Sequence, residues 1–205
     1  MDIIQKLTEE LQVKKWQVEA AVKLIDEGNT IPFISRYRKE ATGALNDEQL
    51  RDLGERLTYL RNLEDKKAQV ISSIEEQGKL TEELKAAIEA AQTQVAVDDL
   101  YRPYRPKRRT RATMAKEKGL EGLANIILLQ MTTTPLEIEA ESYLSEEKGV
   151  KNVQEAIAGA MDIIAESISD EADYRTWIRN KTLKEGEIIS EAKDEKEQSV
   201  YETYY

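Results

Sequence analysis

The sequence predicts an all-α protein: a multi-helix bundle with an N-terminal helix-turn-helix, a long αα-hairpin and a short C-terminal β-hairpin. Three observations predict it. Apolar residues recur at three- and four-residue spacing along most of the 205 residues. Asp, Thr or Asn stands ahead of successive periodic runs, and Gly closes several of them. Only after Gly186 does the period shorten to that of a strand.

Asp2 is placed to cap a first helix carrying Ile3, Ile4, Leu7 and Leu11. A break near Gln12-Val13 leads to a second, with Val18, Ala21, Val22 and Ile25 on one face and Gly28-Asn29 as its stop. Two short helices and a tight turn read as a helix-turn-helix, a pattern that helical bundles share. The second helix balances Lys14, Lys15 and Lys23 with Glu19, Asp26 and Glu27, so the pair is expected to pack rather than to read DNA, with Trp16 as a core or interface anchor. Thr30 then caps a segment with Pro32 in its first turn and Ile31, Phe33, Ile34 and Tyr37 on its apolar side. Arg36, Arg38 and Lys39 form a small basic cluster there: a phosphate contact or, as expected here, a tie to an acidic helix. Gly43-Ala44-Leu45 is a turn.

Asn46 opens the longest helix, whose stripe of Leu50, Leu53, Leu57, Leu60, Leu63, Lys67, Val70, Ile71 and Ile74 runs up to Gly78. Its span corresponds to a rod of roughly 45 Å. Thr81 caps a return partner with Glu82 and Glu83 in its first turn and Leu84, Ala87, Ile88 and Ala91 facing inward. Val95, Val97 and Leu100 bring the chain back to the core. Thr110 is placed to cap a helix through Lys118, and Leu120, Leu123, Ile126, Ile127 and Leu129 mark a strongly buried one. A short helix after Thr134-Pro135 and a connector lead to a helix capped by Asn152, with Glu155 three residues on. That helix is expected to bury Val153, Ile157, Ala160, Met161 and Ile164. Another follows Ser169-Asp170 with Tyr174, Trp177 and Ile178 inward. Ile188, Ile189 and Ala192, then Val200, Tyr201, Tyr204 and Tyr205, flank a polar turn as two strands, and the chain stops inside that element, as a piece of a longer polypeptide would. The expected organisation is therefore 1–45 helix-turn-helix-like, 46–92 αα-hairpin, 93–185 basic loop and helical bundle, and 186–205 the start of a β element leading to further domains.

Charge is unevenly distributed. Between Tyr101 and Lys118 stand eight basic residues, Arg102, Arg105, Lys107, Arg108, Arg109, Arg111, Lys116 and Lys118, against one acid, Glu117. That window is +7 in a chain of net charge −10, leaving −17 elsewhere. Such an island repels itself unless carboxylates of the same fold or an external polyanion neutralise it. The steps Arg102-Pro103 and Arg105-Pro106 bias its start toward extended backbone, interleaved with Tyr101 and Tyr104. Rings and guanidinium planes on a positive loop suit base stacking and phosphate contact, and Arg111 at a helix N-terminus adds free amides that favour anions. The other reading is that these arginines bridge to acidic neighbouring helices.

Cysteine and histidine are both absent, which excludes disulfides and thiolate metal sites and removes the commonest general base near neutral pH. Catalysis would have to rest on carboxylates, lysine or hydroxyls. Asp98-Asp99 and Glu75-Glu76 are the pairs that could take Mg²⁺, but adjacent acids on a helix point apart. No enzyme and no cofactor is expected. The N-terminus lacks a basic start followed by an apolar core, and no apolar run reaches membrane-spanning length, so a cytoplasmic protein with no membrane partner is expected.

The run Asp99-Leu100-Tyr101-Arg102-Pro103-Tyr104-Arg105-Pro106-Lys107-Arg108-Arg109-Thr110-Arg111-Ala112, followed by Glu117-Lys118-Gly119-Leu120-Glu121, resembles the signature of the Tex family, the bacterial transcription accessory proteins. Two further blocks are similar to that family: Asp26-Glu27-Gly28 with Thr30 through Gly43, and Ile74 through Thr81. The likeness weakens over Thr132–Tyr143, and Gly122 departs from the proline expected there, a matter of packing more than of function. The resemblance implies the N-terminal helical region of a multidomain protein that continues into a ribonuclease H-like domain, helix-hairpin-helix modules and an RNA-binding OB-fold domain. It also implies a likeness to a eukaryotic transcription elongation factor, and roles in transcription and nucleic-acid binding. The expected function is a non-catalytic module that binds DNA or RNA with little sequence preference. Its contacts would be Arg102, Tyr104, Arg105, Lys107, Arg108, Arg109, Arg111 and Lys116, with Arg36, Arg38 and Lys39 as further ones. The alternative is a protein-interaction scaffold that docks its Leu50–Ile74 face onto RNA polymerase, other transcription machinery or the downstream domains.

Overall fold

The computed structural model describes residues 2–106, 108–192, 200 and 202–204. They form eleven α-helices, grouped in two compact units, Met1–Pro106 and Lys107–Tyr205. The first unit takes in the expected segments 1–45 and 46–92 together with the start of the third.

In the first unit, α1 (Ile3–Leu11), α2 (Lys15–Asp26) and α3 (Ile31–Tyr37) precede the long α4 (Asp47–Glu76), with α5 (Glu82–Ala90) and α6 (Gln94–Tyr101) after it. Local chemistry sets the helix starts. The Asp2 carboxylate accepts from the Gln5 amide at 2.9 Å, and Asn46 and Gln49 form a reciprocal capping box. Thr30 occupies the cap of α3 without a side-chain bond, leaving Pro32 in the first turn to set the helical start.

The stripe on α4 is buried along its length. Leu50, Leu53, Leu57 and Leu60 close one core with Leu7, Val18, Ala21, Val22, Ile34 and Leu45. Leu63, Val70 and Ile74 close another with Ile88, Ala91 and Val97. Lys67 lies within the stripe and is only 4% exposed; its ammonium is satisfied by the Glu89 carbonyl at 2.8 Å and the Glu64 carboxylate at 2.9 Å. The Leu50–Ile74 face is thus consumed inside its own unit and is not free to dock. The return arm also differs from expectation. α5 is nine residues long with Ala87 exposed, and α6, anticipated only as returning chain, completes the cover. Two bidentate pairs tie the outer helices to α4, Arg56 to Glu10 at 2.6 and 2.9 Å and Arg61 to Asp26 at 2.7 and 2.8 Å. Hydrogen bonds from these arginines hold both carboxyls below their ordinary range.

The second unit comprises α7 (Arg111–Glu117), α8 (Glu121–Leu129), α9 (Leu136–Glu141), α10 (Val153–Asp170) and α11 (Ala172–Glu185). Its core is rich in small side chains, Ala112, Ala115, Ala124, Ala140, Ala156 and Ala160, around Leu120 and Leu123. That composition lets α7 and α8 lie close on α10, and at Gly159 a Cβ would overlap the Leu120 side chain. Gly122 likewise leaves room for Tyr143, whose hydroxyl would stand 2.6 Å from an added Cβ.

Four expectations are corrected here. Leu129 is 65% exposed and Met161 61%, not buried. Ser169-Asp170 end α10 instead of capping the next helix, and α11 buries none of its residues; Tyr174, Trp177 and Ile178 all face water. α11 packs on α10, and among the described residues no element covers its apolar side chains. The expected C-terminal β-hairpin is not confirmed: 186–192 carries no strand, with Ile188 and Ile189 exposed, Glu202–Tyr204 is a single 3-10 turn, and most of the expected turn and second strand lies outside the described residues. Residues 193–199, 201 and 205 lie outside the described residues.

Leu60→Ala, at a site with no exposure where α4 meets the first core, should lower stability by about 2–5 kcal/mol. Leu129→Ala should change it by no more than about 0.5 kcal/mol. Thermal unfolding followed by circular dichroism separates the two, and equal effects would contradict the packing.

Candidate nucleic-acid interface

In the second unit the basic segment wraps the start of α7. Thr110 caps that helix by accepting from the Thr113 amide at 3.0 Å, and Ala112 and Ala115 turn its small-residue face inward. Arg111 and Lys116 are thereby directed outward. Arg108 is exposed and has no carboxylate within ion-pair distance among the described residues. Arg109 meets Glu117 at 2.7 Å, Arg111 stands 3.6 Å from Asp162 of α10, and Lys116 is 3.9 Å from Glu121. Lys118 donates to the Gly149 carbonyl at 3.2 Å. The two readings of the island therefore each hold in part: three cations have acidic neighbours, yet the pairs are open to water, with the Arg111 side chain 82% exposed. Pairs of this kind contribute about 0–1 kcal/mol, so a phosphate can displace the carboxylate at little cost. α7 has seven residues and Thr110 occupies one of its first amides, so the guanidinium groups rather than the helix end dominate the local field.

In the first unit the other end of the island is not the extended, stacking-ready loop expected from its prolines. Tyr104 and Arg105 donate their amides to the Tyr101 carbonyl at 2.9 and 3.0 Å, and Arg102 is α-helical although a proline follows. The Tyr101 hydroxyl bonds to Ser73 at 3.0 Å, Gln77 donates to the Tyr104 carbonyl at 3.0 Å, and both rings pack on the core of α4. Burying two aromatic rings outweighs the pre-proline preference. Tyr104 is therefore an anchor, not a free stacking face. Arg105 is exposed without a carboxylate partner among the described residues. Arg102 is engaged within the protein, and Lys107 lies outside the described residues.

The cluster on and after α3 also departs from expectation, because it is not tied to an acidic helix. The Arg38 guanidinium lies 5.1 Å from the Phe33 ring centre and that of Arg36 6.0 Å from Tyr37. Among the described residues, neither these two nor Lys39 pairs with a carboxylate. Asp47, the acid beside α3, is taken by Arg51 and Ser35. The turn that follows is firmly built. Thr42 and Ala44 return their amides to the Arg38 and Lys39 carbonyls, Thr42 is buried, and Gly43 and Ala44 adopt positive φ of 61° and 60°. Gln17 of α2 donates to the Thr42 and Gly43 carbonyls at 3.2 and 3.0 Å, and the Trp16 ring lies where a Cβ on Gly43 would stand. Trp16 is thus an anchor, as expected, but one left 48% exposed beside the basic turn. The sequence reading did not include it among the site residues; a glycine in a basic turn was the available signal.

Of the carboxylate pairs, Asp98 is bound to Lys66 at 3.0 Å and Asp99 is buried and engaged within the protein. No group of three or more acidic residues converges on a metal position among the described residues, and none of their helices is long and apolar enough to cross a membrane.

By class, then, this is a two-unit, all-α chain with exposed cationic surface on each unit. It belongs to the Tex family: residues 1–75 match the Tex-like protein N-terminal domain and residues 131–205 the Tex central region-like model. It is 48% identical over 204 residues to the Bacillus subtilis protein YdcI, covering 98% of this chain and 28% of that protein. Against the Transcriptional accessory protein Tex of Neisseria gonorrhoeae the identity is 46% over 197 residues, 96% of this chain and 26% of that protein. The S1 RNA-binding domain-containing protein 1 of Homo sapiens is 32% identical over 181 residues, 87% of this chain and 18% of that protein. The chain spans about a quarter of the length of the bacterial relatives it matches.

Gly43→Ala should cost about 1–2 kcal/mol from the left-handed backbone alone and more from displacement of the Trp16 ring. Gly28→Ala, at φ 84° with open space around it, should show only the backbone part. Denaturant unfolding with Trp177→Phe as background reads both, and an unchanged Trp16 emission in the Gly43 variant would refute the contact.

Proposed function

We propose that the chain is a non-catalytic helical module of a transcription accessory protein that contacts nucleic acid, DNA or RNA, through the basic segment around α7. One observation carries this reading: Arg108, Arg109, Arg111 and Lys116 are exposed, Arg108 has no acidic neighbour among the described residues, those of Arg111 and Lys116 stand at 3.6 and 3.9 Å, and the 2.7 Å Arg109–Glu117 pair is open to water. The relatives named for transcription and for an S1 RNA-binding domain support it. Backbone phosphates are recognised without regard to sequence, so binding should be sequence-tolerant and salt-sensitive. If about four phosphates are neutralised, log K should fall with log salt at a slope of roughly −3 to −4. Arg108→Ala/Arg109→Ala/Arg111→Ala should remove most of that affinity and flatten the slope. Matching titrations of wild type and triple variant would take the segment out of the function. The acidic remainder of the chain keeps affinity modest.

A second reading, an interaction scaffold, is favoured by α11, whose Tyr174, Trp177 and Ile178 are exposed although large and apolar. Its occupant would be the further chain of the longer relatives or transcription machinery such as RNA polymerase. Binding to purified polymerase that persists at high salt and disappears in Trp177→Ser/Ile178→Ser would favour the scaffold. Absence of such binding would leave the polymerase out.

A further inference from the structure

The cations at the start of α2 and on the α3 turn lie away from the acids that end α2. On charge count alone, Lys14, Lys15 and Lys23 of α2 are matched by Glu19, Asp26 and Glu27. In the structure Asp26 is held bidentately by Arg61 of α4. Asp26 and Glu27 both stand at the far end of α2 from Lys14 and Lys15, a separation of roughly 17 Å along the helix, well beyond the screening length of about 8 Å at physiological salt. What remains beside the turn is Lys14, Lys15, Arg36, Arg38 and Lys39 against Glu19 and Glu40, a local excess of three positive charges.

The contacts that join these residues are short and specific. Gln17 holds α2 to the Thr42 and Gly43 carbonyls, Trp16 lies on Gly43, and Thr42 reaches back to the Arg38 carbonyl. These contacts set the basic turn against the Trp16 ring, which stays 48% exposed, while Tyr37, 56% exposed, lies 6.0 Å from the Arg36 guanidinium. Phe33 supports Tyr37 from behind at 5.3 Å between ring centres. Half-exposed rings beside exposed guanidinium groups offer a stacking surface, which an acidic peptide does not need and a closed duplex cannot use.

We propose that this surface, centred on Trp16, Tyr37, Arg36 and Arg38, binds single-stranded nucleic acid, with the rings stacking on bases and the cations contacting phosphates. It shares no residue with the basic segment around α7, so either can fail without the other.

The whole chain carrying Trp177→Phe, an exposed position, leaves Trp16 as the sole tryptophan reporter. Titration with oligothymidine of about a dozen nucleotides, within the usual single-strand site range, should quench Trp16 emission. The matched duplex and polyglutamate should not. Tyr37→Ser should weaken binding roughly tenfold. Arg36→Ser/Arg38→Ser should flatten the log K against log salt slope by about 1.4. Arg36→Lys/Arg38→Lys should keep the slope but lose affinity, since charge remains and the planes do not; this pair decides the matter if the serine variants melt early. The quenching should persist in Arg108→Ala/Arg109→Ala/Arg111→Ala. Absence of quenching, an equal response to duplex or polyglutamate, or wild-type affinity in Tyr37→Ser and both arginine pairs would overturn the proposal.

Discussion

The first unit depends on one constraint: a thirty-residue helix carrying an apolar stripe interrupted only by Lys67 must have it covered from end to end. An isolated helix of that length gains little in water, and its stability comes from the face it buries. Two separate cores meet this need, one supplied by α1 to α3 and one by α5 and α6. Lys67 shows how strict the constraint is. A buried ammonium is tolerated in the stripe because α5 offers a backbone carbonyl and α4 itself a carboxylate. Because the stripe is consumed internally, whatever the unit binds must be met by its outward, charged and half-exposed residues.

The second unit answers a different constraint. Six alanines and Gly159 lie among its core contacts, so helices approach closely around Leu120 and Leu123. Large apolar side chains are correspondingly displaced to the outside, at Leu129, Met161 and along α11.

Helix existence and helix starts were legible in the sequence because they are local. Asp2, Asn46, Thr81, Thr110 and Asn152 each accept the amide three residues on, as their spacing predicts. The stripe of α4 was legible for the same reason. What covers an apolar face is not local: the pattern in Tyr174, Trp177 and Ile178 marks a face but is silent on whether anything in the chain reaches it. The tyrosines of the island show the converse. Tyr101 and Tyr104 looked like free rings beside arginines, and only their docking against Ser73, Gln77 and the core made them anchors.

Charge was legible in sum but not in partnership. The +7 window is visible by counting, whereas which cations are quenched depends on pairs such as Arg61 with Asp26 that lie far apart in sequence. That distinction changes the reading of α2 and α3. Asp26 and Glu27 lie at the far end of α2 from Lys14 and Lys15, so a helix that is neutral by count carries its charges at opposite ends. The same logic works against the segment around α7, where Glu117 and Asp162 stand close enough to dampen the field of Arg109 and Arg111. Cationic surface in an acidic chain is therefore decided by the geometry of its ion pairs more than by the density of its basic residues.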